Sequence, residues 1–211
     1  FDWKSGSVGK PLGDVEIRLA EDGEILVRSK KVFHSYLNEE ARDPESWFAT
    51  GDLGRILPSG HLQISGRKKD LIKTSNGKYV APQRLESLLV QDPLISSALI
   101  LGDQKKYVVA LIALDRTALL SWSQSQGLEE RDYAKLTQLE QIKKEIRNRL
   151  RQINKELAAH ESVKRFLILP EEPSVENGEL TPSLKLRRNI LVEKYQRDID
   201  ELFFEPGPLR K

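Results

Sequence analysis

An α+β fold is predicted for this chain, with a β-rich part first and a mixed part of helices and strands after it. Three patterns point to it. Through residue 65, short apolar and β-branched runs alternate with glycine-centred turns, as in a series of hairpins. From about residue 66 the turns thin out, and residues 94–101 and 107–114 form two apolar runs suited to buried strands. Around those runs, apolar residues recur at helical spacing, as they do in helices with one buried stripe.

Taken in order, residues 15–19 and 25–28 flank Glu21-Asp22-Gly23 and predict a first hairpin. Residues 55–57 and 62–64 flank Pro58-Ser59-Gly60 and predict a second. Pro82 suits the first turn of a helix, where its missing N–H has no intrahelical role. Leu85, Leu88 and Leu89 form the apolar side of that helix, and Asp92-Pro93 stops it. Leu136, Leu139, Ile142, Ile146, Leu150, Ile153 and Leu157 predict one long amphipathic helix packed on the chain's own sheet. Residues 166–169 predict a further strand. After Gly178, Thr181-Pro182-Ser183 predicts a turn leading into a helix start. Lys185 then falls near the first turn of a helix whose apolar positions are Leu186, Ile190, Tyr195, Ile199, Leu202 and Phe203.

Composition narrows the function. The chain has 211 residues, begins at Phe1 and contains no methionine, so it is expected to be part of a longer product. No apolar run is long enough to span a bilayer, and the first residues do not resemble a signal peptide. The absence of cysteine excludes a disulfide framework and a thiol nucleophile, and fits a reducing compartment such as the cytoplasm. A net charge of +2 with 31% charged residues describes a solvated globule, not the one-sided basic surface of a nucleic-acid binder. There is no Gly-x-x-x-x-Gly-Lys-Ser/Thr loop, no Gly-x-Gly-x-x-Gly and no Gly-x-Ser-x-Gly. His34, His61 and His160 are scattered without metal-ligand spacing, so no metal site is expected within this stretch.

Several residues could carry chemistry. Lys185 follows a glycine and a turn, which suits a long cation that must reach an anion accurately; an ordinary solvated lysine would look the same. Asp52, in Thr50-Gly51-Asp52, could accept hydrogen bonds from two vicinal hydroxyls, or could bond its own turn. Arg67 offers a rigid fork for ribose or phosphate oxygens. Gly77, in Lys73-Thr74-Ser75-Asn76-Gly77-Lys78, would let the backbone approach a ligand closely.

Three segments in this order, Thr50-Gly51-Asp52, Ser65 to Glu86 and Asn177 to Arg188, resemble the C-terminal portion of the AMP-forming acyl-CoA synthetases, the adenylate-forming superfamily. The wording Ile-Lys-Thr-x-x-Gly-Lys-Tyr-Val-Ala-Pro and Gly-Glu-Leu-Thr-Pro-Ser-Leu-Lys-Leu-Arg-Arg is most similar to the long-chain fatty-acid–CoA ligase branch. The resemblance implies that residues 1–67 end a large adenylating domain and that residues 68–211 form a small mobile one. It implies nucleotide binding by Asp52 and Arg67, a hinge at Lys69, and a catalytic lysine at Lys185. It also implies coenzyme A contacts along Lys73, Gly77 and Lys78.

Fatty acid, ATP, Mg2+ and CoA would be the partners. The phosphate loop, acyl pocket and magnesium-associated acid would lie upstream, so this stretch alone would be inactive. The resemblance leaves room for peripheral contact with a membrane. It also leaves open an acyl-carrier-protein acceptor, or a non-catalytic module that keeps the fold. The stretch from Tyr36 to Thr50 is a few residues shorter than the family pattern.

Overall fold

The computed structural model describes residues 4–32, 43 and 45–204. It divides into two compact units, Phe1–Leu71 and Ile72–Lys211. The α+β class expected from the sequence is the class observed.

The first unit is an antiparallel meander of β1 (Glu16–Leu19), β2 (Glu24–Arg28), β3 (Phe48–Ile56) and β4 (Leu62–Arg67), in that spatial order. Both expected hairpins are present. Gly23 and Gly60 supply φ values of +83° and +78° at their turns, which residues with a Cβ rarely adopt. Strand β3 is longer than the sequence suggested and carries Thr50-Gly51-Asp52 in its middle. Its register shifts at Leu53/Gly54, where Gly54 lies so close to the neighbouring strand that a Cβ would stand 2.6 Å from the Gln63 carbonyl. One 3-10 turn, Lys68–Asp70, follows β4. His34 and most of the shortened stretch after Tyr36 lie outside the described residues.

The second unit opens with a small hairpin of β5 (Ile72–Lys73) and β6 (Tyr79–Val80), then α1 (Pro82–Leu89) with Pro82 in its first turn as expected. A three-stranded sheet follows, ordered β7 (Ile95–Leu101), β8 (Val108–Leu114), β9 (Val163–Ile168). β7 pairs antiparallel with β8, and β9 pairs parallel with it. A parallel neighbour requires a crossover, supplied by α2 (Arg116–Ser125), α3 (Tyr133–Gln138) and α4 (Glu140–Asn154). The chain ends in α5 (Arg188–Lys194) and α6 (Gln196–Phe204).

Every residue of β8 is buried, because helices cover both faces of the sheet. Val108, Ala110, Ile112 and Leu114 pack with Leu85, Leu89, Ile142, Ile146 and Leu150. The alternate residues Leu111 and Ala113 pack with Leu191, Tyr195 and Ile199. That alternation is the two-residue period of a strand. Among the described residues, no helix is long and apolar enough to cross a membrane.

Two expectations need correction. The single helix over 136–157 is two helices, broken at Leu139, whose φ of −64° and ψ of 133° are extended. The apolar spacing runs through the break because Leu136, Leu139 and Ile142 all pack on the same core; packing overrides local helix preference. The last helix also starts later, at Arg188, and is interrupted at Tyr195. Its inward residue is Leu191, fully buried, whereas Ile190 is 38% exposed. Helix α2 was not anticipated, although its Asp115 cap accepts the Ala118 N–H at 2.7 Å.

Tyr133 closes the end of β8. Its phenol donates to the Leu114 carbonyl and accepts the Leu114 N–H, both at 3.0 Å. Burial pushes its pKa up from 10.0 to about 12. Since the unfolded phenol ionises first, its contribution to stability is intact below pH 10 and is lost as pH rises through 12. Tyr133→Phe is expected to cost about 1–3 kcal/mol, the penalty for orphaning a buried backbone donor. Denaturant unfolding checks this, and the variant's unfolding should lose that alkaline slope.

Candidate active site

In the first unit, Gly51 adopts φ +73° within β3, and the neighbouring groups are tied down. The Thr50 hydroxyl donates to the Ile25 carbonyl at 2.8 Å and accepts the Asp52 N–H at 3.1 Å. The Gly51 N–H donates to Glu24 at 3.0 Å. Asp52 and Arg67 are direct partners on the β3–β4 ladder, and their side chains meet with Asp52 Oδ1 3.0 Å from Arg67 Nε. Strand pairing therefore brings the two expected nucleotide residues together. The Asp52 carboxylate faces an arginine rather than closing a turn. The pair is partly exposed and so contributes little to stability, which leaves both groups open to a ligand.

Lys68, just after β4, is fastened to this sheet by Asp22 at 2.6 Å and Glu24 at 2.8 Å. Those hydrogen bonds hold its pKa well above the ordinary lysine value. Glu24 thus links the Thr-Gly-Asp segment to the residue preceding Lys69. Lys69 itself is exposed in the 3-10 turn, flanked by extended Arg67 and Leu71. The division between the two units falls just beyond this turn, after Leu71.

In the second unit, Gly77 sits at the tip of the β5–β6 hairpin with φ +71°, and a Cβ there would meet nothing within 4 Å. Buried Thr74 holds the loop: its hydroxyl donates to the Lys78 carbonyl at 3.0 Å and accepts the Lys78 N–H at 3.2 Å. The adjoining loop braces the hairpin from one side. Asp103 accepts the Lys73 N–H at 3.0 Å, and the Lys105 carbonyl accepts the Ser75 N–H at 2.9 Å. Lys73 and Lys78 are both exposed beside the tip.

Lys185 does not lie in a helix. Thr181, Pro182, Ser183 and Leu184 form a tight turn that closes an arm whose two sides meet at the Leu180–Leu186 bridge. The Thr181 N–H donates to the Lys185 carbonyl at 2.8 Å, and the Thr181 hydroxyl accepts the Lys185 N–H at 3.1 Å. Leu184 pays for this closure with φ +59°. The helix begins three residues later because the Lys185 carbonyl, which a helix would offer four residues on, is taken by the Thr181 N–H, and Arg187 is extended. Lys185 is exposed, and its ammonium has no partner among the described residues.

Two nearby cations are engaged. Arg188 donates to the Ile100 carbonyl at 2.5 Å and to Glu86 at 2.6 Å, while Glu86 also accepts the Ile100 N–H at 2.9 Å. Lys194 donates to buried Glu179 at 2.8 Å, which raises the Lys194 pKa. Sequence reading missed Glu86, Glu179, Arg188 and Lys194, since nothing in their spacing announces these pairs. Among the described residues, no group of three His, Asp or Glu side chains is placed to hold a metal ion.

The family model for the AMP-binding enzyme C-terminal domain matches residues 69–205. The chain belongs to the adenylate-forming acyl-CoA synthetases, as part of their C-terminal portion. This synthetase portion is 40% identical over 210 residues to long-chain-fatty-acid–CoA ligase FadD15 of Mycobacterium tuberculosis. It is 36% identical over 221 residues to human long-chain-fatty-acid–CoA ligase 6. Each match covers 96% of the chain, which spans about a third of the length of either relative (34% and 32%). Among solved structures, O-succinylbenzoate coenzyme A synthetase from Bacillus subtilis, in complex with ATP and magnesium ion, is 28% identical. It matches with a TM-score of 0.57, over 88% of this chain and 35% of that one. The adenylation domain of a Mycobacterium chelonae carboxylate reductase shares the fold, with a TM-score of 0.68 over 96% of this chain and 33% of that one, at 22% identity.

Proposed function

We propose that the intact protein is an ATP-dependent long-chain fatty-acid–CoA ligase in which this stretch supplies the moving half of the active site. In the first half-reaction a fatty carboxylate attacks the ATP α-phosphate, giving acyl-adenylate and pyrophosphate. Asp52 accepts the ribose hydroxyls, and Arg67 contacts ribose and phosphate oxygens. Lys185 bridges the carboxylate and the phosphate and offsets the charge that grows between them. The small domain then turns about Lys69, withdrawing Lys185 and presenting the Gly77 loop. The CoA thiol attacks the acyl carbon and AMP leaves, with Lys73 and Lys78 drawing the CoA phosphates. Mg2+ would be held upstream of this stretch.

The observation that carries this reading is the exposed Lys185 on its hydrogen-bonded arm. Arg188 and Lys194 beside it are locked to carboxylates, while Lys185 stands exposed on a braced arm. A cation kept free at the tip of a stiff mount suits a transient anion. Coupled with 40% identity to a long-chain ligase, it favours catalysis over a module that merely keeps the fold. The test is to supply the intact protein with ATP and palmitate and offer CoA and acyl-carrier protein in competition. Palmitoyl-CoA should dominate; transfer to the carrier protein alone would reassign the acceptor. This stretch alone should form no thioester, and detection of one would reveal a complete site within it.

The hinge has its own test. Lys69→Pro fixes φ near −65° and should restrict exchange between the two arrangements. One half-reaction should then fall much further than the other when each is timed separately. Equal loss of both would place the hinge elsewhere.

A further inference from the structure

We propose that Glu179 is a positioning residue for Lys185, an assignment that rests on Lys185 being the lysine of adenylation. A lysine side chain is long and has several rotatable bonds, so where its ammonium arrives depends on how firmly its backbone is held. The Lys185 arm has three successive rungs: Thr181 with Lys185, Leu180 with Leu186, and Glu179 with Arg187. In the last of these, the Glu179 carbonyl accepts the Arg187 N–H at 2.8 Å. Glu179 is therefore the root of the arm.

Its side chain fixes that root to the body of the unit. One carboxylate oxygen takes the Lys194 ammonium of α5 at 2.8 Å, and the other accepts the Ser174 N–H at 3.3 Å. The Glu179 N–H returns to the Ser174 carbonyl at 3.0 Å. Glu179 is only 2% exposed. Burying a carboxylate is costly, and a well-packed apolar pair of similar volume commonly serves stability as well or better. What an apolar pair cannot do is hold two chain segments at a fixed angle by directed bonds. The buried Glu179 carboxylate, bonded to Lys194 and Ser174 at the root of the arm, therefore sets the aim of Lys185.

The test uses the intact protein and times each half-reaction separately. Glu179→Gln keeps the shape but turns one amide N–H toward a donor, so one of the two side-chain bonds is lost. Acyl-adenylate formation at saturating ATP and palmitate should fall about tenfold, since a misplacement of about 1 Å can cost up to 10²-fold. KM values should change little, and thioester formation from supplied acyl-adenylate and CoA should stay within about twofold. On the Lys185→Ala background, Glu179→Gln should have almost no further effect on adenylation, because no ammonium remains to be aimed.

Glu179→Gln combined with Lys194→Gln neutralises both partners, so no orphaned buried charge endangers folding; it should show the same selective loss. Equal loss in both half-reactions, or an equal cost with and without Lys185, would reduce Glu179 to a structural support and overturn the proposal. If Lys185→Ala slows adenylation while Glu179→Gln does not, only the positioning role falls. If Lys185→Ala leaves adenylation intact, the role of Lys185 falls and the positioning role falls with it.

Discussion

Lys185→Ala in the intact protein is expected to slow acyl-adenylate formation by roughly 10²–10³-fold, the scale seen when one preorganised electrostatic donor is removed. The fold should be undisturbed, because the ammonium makes no hydrogen bond or ion pair among the described residues and the arm is held by backbone and Thr181 bonds. Thioester formation from supplied acyl-adenylate should be nearly unchanged. Rapid-quench measurement of each half-reaction separates the two. A similar loss in both would make Lys185 a general cation of the site instead of a group used in one step.

Gly77→Val should give the opposite pattern. Valine at φ +71° costs roughly 1–2 kcal/mol of backbone strain, yet its Cβ would meet nothing within 4 Å, so the hairpin should survive. Two methyl groups would then occupy the space through which the pantetheine of CoA is proposed to approach. Thioester formation should fall by about 10²-fold, the scale of a reacting group displaced by about 1 Å, while adenylation persists. Unimpaired thioester formation would remove Gly77 from the CoA path.

Much of the architecture could be read from the chain. The hairpins of the first unit were visible because Gly23 and Gly60 sit where positive φ is required. Strand β8 was visible because helices on both faces leave no position for a polar residue. Two misreadings arose where tertiary packing and loop hydrogen bonds override local periodicity. Leu139 keeps the helical spacing of its neighbours while its backbone is extended. The Thr181–Leu184 turn spends the backbone bonds that a helix start would have used.

The site divides in the same way. Asp52, Arg67, Gly77 and Lys185 are marked by local wording. The Glu179–Lys194 and Glu86–Arg188 pairs join residues 15 and 102 positions apart, so no local pattern foretells them. The setting of Lys185 differs from the helical one expected because Thr181 bonds both its N–H and its carbonyl.

The central claim is that the two units exchange between two arrangements, one for each half-reaction. The chain has no cysteine, so single cysteines introduced at exposed Ser59 in the first unit and exposed Glu176 in the second can carry spin labels. Any cysteines elsewhere in the intact protein would first be replaced. Pulsed dipolar spectroscopy should then show one label distance with ATP and fatty acid bound. A second, distinct distance should appear with a non-hydrolysable acyl-adenylate analogue and CoA. One distance distribution, unchanged by either set of ligands, would contradict the alternation and leave Lys185 and Gly77 without a shared site.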